Sequence, residues 1–235
     1  MPNSVYALHD YSMMGFPTGQ RYVGAPEQKD KLRRQYDRKS EFMRMHKTPC
    51  WNGEFGPVYA NPRTDEDADA INESRYQLLG EQLRIYDKEQ IPWSIWLYKD
   101  IGLQGMVHTN PDSPWNQLIQ PILEKKKRLQ LDAWGMYPST EIDNLLQPLI
   151  KWIDEVSPEA KATYPTTWNT ARHVERAVMQ SFLAETFVVE FARLFTGKGE
   201  VELDELARSF AFENCVQREG LNRILKEHAG LEVAK

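Results

Sequence analysis

Three short apolar runs, each followed by a stretch of helical periodicity, make up the first 131 residues and leave few folds open. The run Ser4-Val5-Tyr6-Ala7-Leu8-His9 is β-favouring and nearly continuous in hydrophobicity, as a strand buried on both faces would be. A turn-rich loop, Met14-Gly15-Phe16-Pro17-Thr18-Gly19, leads to a helix opened by Pro26 and Glu27, with Leu32, Tyr36, Phe42 and Met43 on one face. A second strand through Cys50 and Trp51 ends at Glu54. After the acidic loop 61–67 a second helix is expected from Asp67 to Lys88, burying Ile71, Leu78, Leu79, Leu83 and Tyr86. The third strand is expected over Ile91–Tyr98, ending at Lys99-Asp100, and the third helix over Pro114–Leu131. Strand–helix alternation of this kind predicts a parallel sheet with crossover helices, whose functional groups gather at the carboxyl ends of the strands. Those ends carry His9 and Tyr11, then Glu54, then Trp96, Lys99 and Asp100.

Past residue 131 the character changes to all-helical, which divides the chain into 1–131 and an extension, 132–235. Ile142, Leu145, Leu146, Leu149, Ile150 and Ile153 fall on one face of a helix over Glu141–Glu155. A longer helix is expected over Thr167–Phe195, a break at Gly197-Lys198-Gly199, and a last helix over Leu203–His228. With 41% hydrophobic and 11% aromatic residues the chain can build a core, and its net charge of −5 argues against a general nucleic-acid binder. The basic run Glu124-Lys125-Lys126-Lys127-Arg128 is the solvated side of a helix.

No stretch approaches the roughly 18 apolar residues of a membrane span, and the N-terminus lacks the features of a signal peptide; the chain as given reads as cytoplasmic, with localisation left open because the native N-terminus is expected to lie upstream. Cys50 and Cys215 have neither zinc-ligand nor disulfide-framework spacing, and no motif calls for a metal or cofactor. Cys50 is a small apolar strand residue, and Trp51 and Trp93 serve packing.

The richest stretch is Thr48-Pro49-Cys50-Trp51-Asn52-Gly53-Glu54-Phe55-Gly56, in which a strand delivers a carboxylate between two glycines. A carboxylate in apolar surroundings must be hydrogen-bonded, paired or functional. Glycines at a strand end suit the close backbone approach that a ligand site requires. Together with Tyr6-Ala7-Leu8-His9-Asp10-Tyr11 before it and Trp93-Ser94-Ile95-Trp96 after it, this stretch resembles the last three strands of the (β/α)8 TIM barrel of glycoside hydrolase family 5, the cellulase family. The resemblance implies an α/β fold, a partial barrel of three βα units over residues 4 to 130 followed by the helical extension. It implies a retaining enzyme that hydrolyses O-glycosyl bonds of a β-glucoside or related β-glycan, with Glu54 as nucleophile and a carbohydrate as substrate. His9 and Tyr11 then match the histidine and tyrosine beside the reacting sugar. Trp96 matches the aromatic platform beneath it, and Lys99 and Asp100 are placed to bond neighbouring sugar hydroxyls.

A retaining glycosidase needs a second carboxyl group about 5–5.5 Å from the first, as acid/base. In the family this is the Glu of an Asn-Glu pair ending the fourth strand. The pair Asn72-Glu73 follows the nucleophile and lies in a predicted outer helix, so it is not taken as that group. A complete barrel needs eight strands in about 250 residues. The chain is therefore expected to be the C-terminal portion of a longer enzyme, carrying the nucleophile without its acid/base. The alternative is a non-catalytic carbohydrate-binding or assembly module that needs a partner, the missing N-terminal barrel half.

Overall fold

The structure, a computed structural model, describes residues 3–131, 139–159 and 169–233, with the side chains of 231–233 outside it. The described chain forms two units, 1–111 together with 210–235, and 112–209.

In the first unit, β1 (Tyr6–His9) pairs parallel with β2 (Cys50–Glu54), and the connection between them is α1 (Pro26–Met45). Pro26 stands in the first turn of α1, where a missing N–H costs nothing. Gln28 ties the entry down, accepting from the N–H of Val23 and donating to the carbonyl of Arg21, each at 2.8 Å. Leu32, Tyr36 and Ser40, one turn apart, form the buried stripe of α1. Helix α2 (Ala68–Glu89) buries Leu78, Leu79, Leu83 and Tyr86 as its periodicity predicts, with Ile71 only half-buried. These residues join Leu8, Cys50, Phe55 and Tyr59 in one core.

The run 91–98 differs from expectation. It lies parallel beside β2, yet its only bridge is Trp93 to Asn52, and it does not form a regular strand. Asn52 donates to the carbonyl of Pro92 at 2.9 Å and accepts from Ser94 N–H at 2.9 Å, and Trp96 N–H reaches the carbonyl of Phe55 at 2.9 Å. Pro92 has no N–H to contribute to a ladder, which limits regular pairing at this point. The next short strands are β3 (Lys99–Asp100) and β4 (Val107–Thr109), which pair parallel.

The C-terminal segment holds the larger surprise. The helix expected over 203–228 is interrupted by β5 (Cys215–Gln217), which pairs antiparallel with β4. Cys215 and Val216 favour extended backbone, and the ladder to β4 outweighs helical continuity. Between β5 and the following α8 (Glu219–Val233), Arg218 sends its guanidinium to the carbonyls of Gly105 at 3.0 Å and Gly102 at 2.9 Å, over the ring of Tyr59 at 4.3 Å. Leu221 is wholly buried in the core formed by α1 and α2. Residues 210–235, read from sequence as part of a separate extension, thus pack with the first unit.

The second unit contains α3 (Pro114–Arg128), α4 (Thr140–Val156), α5 (Thr170–Ala177), a π-helical turn at Val178–Leu183, α6 (Ala184–Arg193) and α7 (Glu200–Arg208). Ser113, Ser139 and Asn169 cap α3, α4 and α5 through their side chains. The expected start of the long helix at Thr167 and the expected domain boundary at 132 lie outside the described residues. The stripe on α4 is only partly used: Ile142 is buried, whereas Leu145 and Leu149 are exposed. Lys125 pairs with Glu190 and Arg128 with Glu141, so the basic run is a solvated, ion-paired surface. No helix among the described residues is long and apolar enough to cross a membrane.

Candidate active site

The parallel ladder of β1 and β2 changes register at its carboxyl end. Leu8 faces Asn52, but His9 faces Glu54, so Gly53 is an extra residue in a β-bulge. A bulge re-aims the side chains that follow it. Here the ring of His9 lies over Gly53, where an added Cβ would stand 3.4 Å from Nε2. The imidazole thus sits against Gly53 at van der Waals distance, next to the carboxylate at 54.

Two groups converge on one oxygen of that carboxylate. The Tyr11 hydroxyl donates to Oε2 of Glu54 at 3.0 Å, and Nδ1 of His9 lies 3.4 Å from the same oxygen. Burial, and then the bond to Glu54 and its charge, push the Tyr11 phenol far above the ordinary tyrosine range. Tyr11 is therefore a neutral donor at neutral pH. The Glu54 side chain is 26% exposed. One carboxylate oxygen is held, and among the described residues the other, Oε1, has no hydrogen-bond partner.

Tyr11 is supported from behind. Phe16 meets its ring edge-on at 6.0 Å. Arg75 of α2 is buried and donates to the carbonyls of Met14 and Phe16, the latter at 2.8 Å. Desolvation lowers the Arg75 guanidinium to about 10, which leaves it charged at neutral pH. Asp10, between His9 and Tyr11, turns inward and is 2% exposed, and its N–H donates to the carbonyl of Glu54 at 2.9 Å.

The remaining predicted site residues fare differently. Trp96 is 39% exposed, and its backbone is anchored by the bond from its N–H to the Phe55 carbonyl. Lys99 and Asp100 are engaged by the fold. The Lys99 ammonium donates to the carbonyl of Phe210. Asp100 accepts from the N–H groups of Gly102 at 2.8 Å and Gln104 at 2.6 Å, closing the turn before β4. The structure brings Glu54, Tyr11 and His9 together and uses Lys99 and Asp100 elsewhere. Asn72 is also a fold residue: its side-chain amide accepts from the N–H of Ala60 and donates to the carbonyl of Ala60. Arg75 and the α1 residues Gln35 and Lys39, which hold the loop around Tyr11, are not among the residues the sequence points to. The available signal was polar side chains on the faces of two helices otherwise buried against the sheet. No group of three His, Cys, Asp or Glu among the described residues is placed to hold a metal ion.

Fold and geometry together define a carboxylate-centred site at the carboxyl edge of parallel strands, with a phenol and an imidazole on one carboxylate oxygen. The chain is 47% identical over 233 residues to a protein of Phanerodontia chrysosporium named beta-xylosidase, an alignment covering 97% of this chain and 49% of that protein. The chain thus spans about half the length of this curated relative. A solved endoglucanase is similar over 39% of this chain and 31% of its own, at 16% identity and a TM-score of 0.32. No family model matches the chain.

Proposed function

We propose that the chain carries the nucleophile side of a retaining glycoside hydrolase site, of the family 5 kind, that cleaves O-glycosyl bonds of a β-xyloside, β-glucoside or related β-glycan. The observation that carries this reading is the convergence of Tyr11 and His9 on Oε2 of Glu54, at the edge of parallel strands. The relative named beta-xylosidase supports the β-xyloside option.

In this mechanism Oε1 of ionised Glu54 attacks the anomeric carbon, and the C–O bond to the aglycone breaks as a glycosyl ester forms. The departing oxygen takes a proton from a second carboxyl group, which we place in polypeptide outside these 235 residues. Water, deprotonated by that group, then releases the sugar with its original configuration. Tyr11 holds Oε2 so that Oε1 faces the sugar. His9 supplies a donor for a sugar hydroxyl or for Oε2. Trp96 offers a half-exposed aromatic face to the C–H side of the pyranose.

The test is turnover of p-nitrophenyl β-xyloside and β-glucoside by the complete protein that carries this sequence. Glu54→Gln should lower kcat on the order of 10⁴-fold, the scale of losing a covalent catalyst. Azide added to Glu54→Ala should restore turnover and give the α-configured glycosyl azide. Intact turnover by Glu54→Gln would overturn the assignment.

A second reading rests on the sheet itself. Along β1 and β2 the residues Leu8, Cys50 and Asn52 are buried, while Ala7, His9 and Trp51 on the alternate positions are exposed, as is Val5 before them. A sheet face bearing Val5 at 61% and Trp51 at 43% exposure is suited to cover by further polypeptide. We read that cover as the other half of a (β/α)8 barrel, and the chain could serve such an assembly as a non-catalytic carbohydrate-binding module. Oligosaccharide binding by the complete protein, with no hydrolysis of either glycoside, would favour this reading over the enzymatic one.

A further inference from the structure

Asp10 is a buried carboxylate with three side-chain donors, two of which also reach the site. Its Oδ1 accepts from Lys39 Nζ at 2.9 Å and from Gln35 Nε2 at 2.9 Å, and its Oδ2 accepts from the Tyr86 hydroxyl at 2.9 Å. Its carbonyl accepts from Gln82 Nε2 at 2.7 Å. Gln35 and Lys39 stand one turn apart on α1 and make a second contact each, to the carbonyl of Tyr11 at 2.8 and 3.2 Å. Two helical side chains therefore grip both Asp10 and Tyr11, and Asp10 N–H grips the main chain of Glu54. Burial, then the charge of Asp10, drive the Tyr86 phenol well above its usual range, so it stays a donor to that carboxylate.

A buried ion pair is weak support for stability alone, because apolar packing of equal volume serves as well or better. What a buried, fully bonded network supplies is a defined geometry. We propose that Asp10, clamped by Lys39 and Gln35, is a positioning residue that holds the Tyr11 hydroxyl and the Glu54 carboxylate in register for nucleophilic attack. The inference rests on the glycoside hydrolase reading of Glu54. The contacts explain why the strand end between His9 and Tyr11 turns an acidic residue inward: the clamp fixes the backbone just past the bulge, at Asp10, Tyr11 and Glu54. A loosened clamp leaves Glu54 in place but lets Tyr11 drift, and a misplacement of about 1 Å costs on the order of 100-fold in rate.

The experiment is a double-mutant cycle on the complete protein, with p-nitrophenyl β-xyloside and β-glucoside as substrates. Asp10→Asn keeps the shape and removes the charge facing Lys39. It should lower kcat about 30- to 100-fold with KM changed less than about threefold. In a Tyr11→Phe background the same substitution should cost less than about threefold, because the hydroxyl it positions is already gone. Equal losses in both backgrounds, or no loss in either, would overturn the proposal. If Asp10→Asn does not fold, Gln35→Leu, which leaves the Asp10–Lys39 pair intact, runs the same cycle under the same criteria. Glu54→Gln is measured alongside. Full activity in that variant removes the enzymatic reading itself, whereas its inactivity combined with additive Asp10 and Tyr11 effects removes only the positioning role.

Discussion

The backbone of Gly56 passes so close to Trp96 that a Cβ on residue 56 would stand 2.8 Å from the Trp96 carbonyl oxygen, and Gly56 has a φ of 139°. Both conditions exclude a side chain. Gly56→Ala should destabilise the first unit by about 1–3 kcal/mol, the range for a residue forced into a sparsely populated backbone region. Because it also pushes the chain carrying Trp96 away from the strand, oligosaccharide affinity should fall more than stability predicts. Urea unfolding followed by tryptophan fluorescence, with titration of a xylo-oligosaccharide, measures both.

Removing the Tyr11 hydroxyl tests the carboxylate's anchor. A hydrogen bond to a charged group contributes about 1.5–3 kcal/mol. Tyr11→Phe should therefore lower kcat/KM for aryl β-glycosides by roughly 10- to 150-fold. Thermal unfolding should move little, since Tyr11 is only part-buried. A variant with unchanged kcat/KM would show that Oε2 needs no anchor.

Arg218 tests the return of the C-terminal segment to the first unit. Arg218 is 7% exposed, and its guanidinium satisfies two carbonyls in the turn before β4. Arg218→Met preserves most of the apolar stem and leaves both carbonyls unpaired. The expected loss is about 2–4 kcal/mol, read as a drop in the denaturant midpoint. A midpoint within error of the parent would mean that 210–235 adds nothing to the first unit.

His108 gives the first unit an acid-sensitive element. Its imidazole on β4 is held below the ordinary histidine range, mainly by burial and then by the charge of Arg218. Below about pH 6.5 the unfolded chain takes up a proton there that the folded chain refuses. Stability therefore falls as the pH drops from that value toward the lowered pKa, and is unaffected by this group above it. His108→Gln should show a shallower fall in Tm below about pH 6.5 than the parent, measured by calorimetry at matched ionic strength. Parallel Tm curves would count against it.

The sequence by itself determined the local events. Pro26 opens α1, Leu32 and Tyr36 mark its inner face, Leu78, Leu79, Leu83 and Tyr86 mark that of α2, and the apolar run before Glu54 is a strand. Those features follow from periodicity and capping within one element, where each residue's neighbours are also its sequence neighbours. His9, Tyr11 and Glu54 were legible as strand-end residues for the same reason.

Only the tertiary structure decided the rest. Whether Glu54 is held depends on Tyr11, 43 residues away, and the position of Tyr11 depends on Gln35 of α1, 24 residues away, while Arg75 of α2 holds the loop behind it from 61 residues beyond Met14 and 59 beyond Phe16. Lys99 and Asp100 looked like ligand groups by position, but a carbonyl at 210 and two amides of the following turn claim them. The helical pattern after residue 203 gave way to β5 because a ladder partner, β4, was waiting more than 100 residues earlier in the chain. Periodicity records what a segment prefers alone. Hydrogen bonds between distant segments, each formed only once the core has brought them together, decide which of those preferences survive.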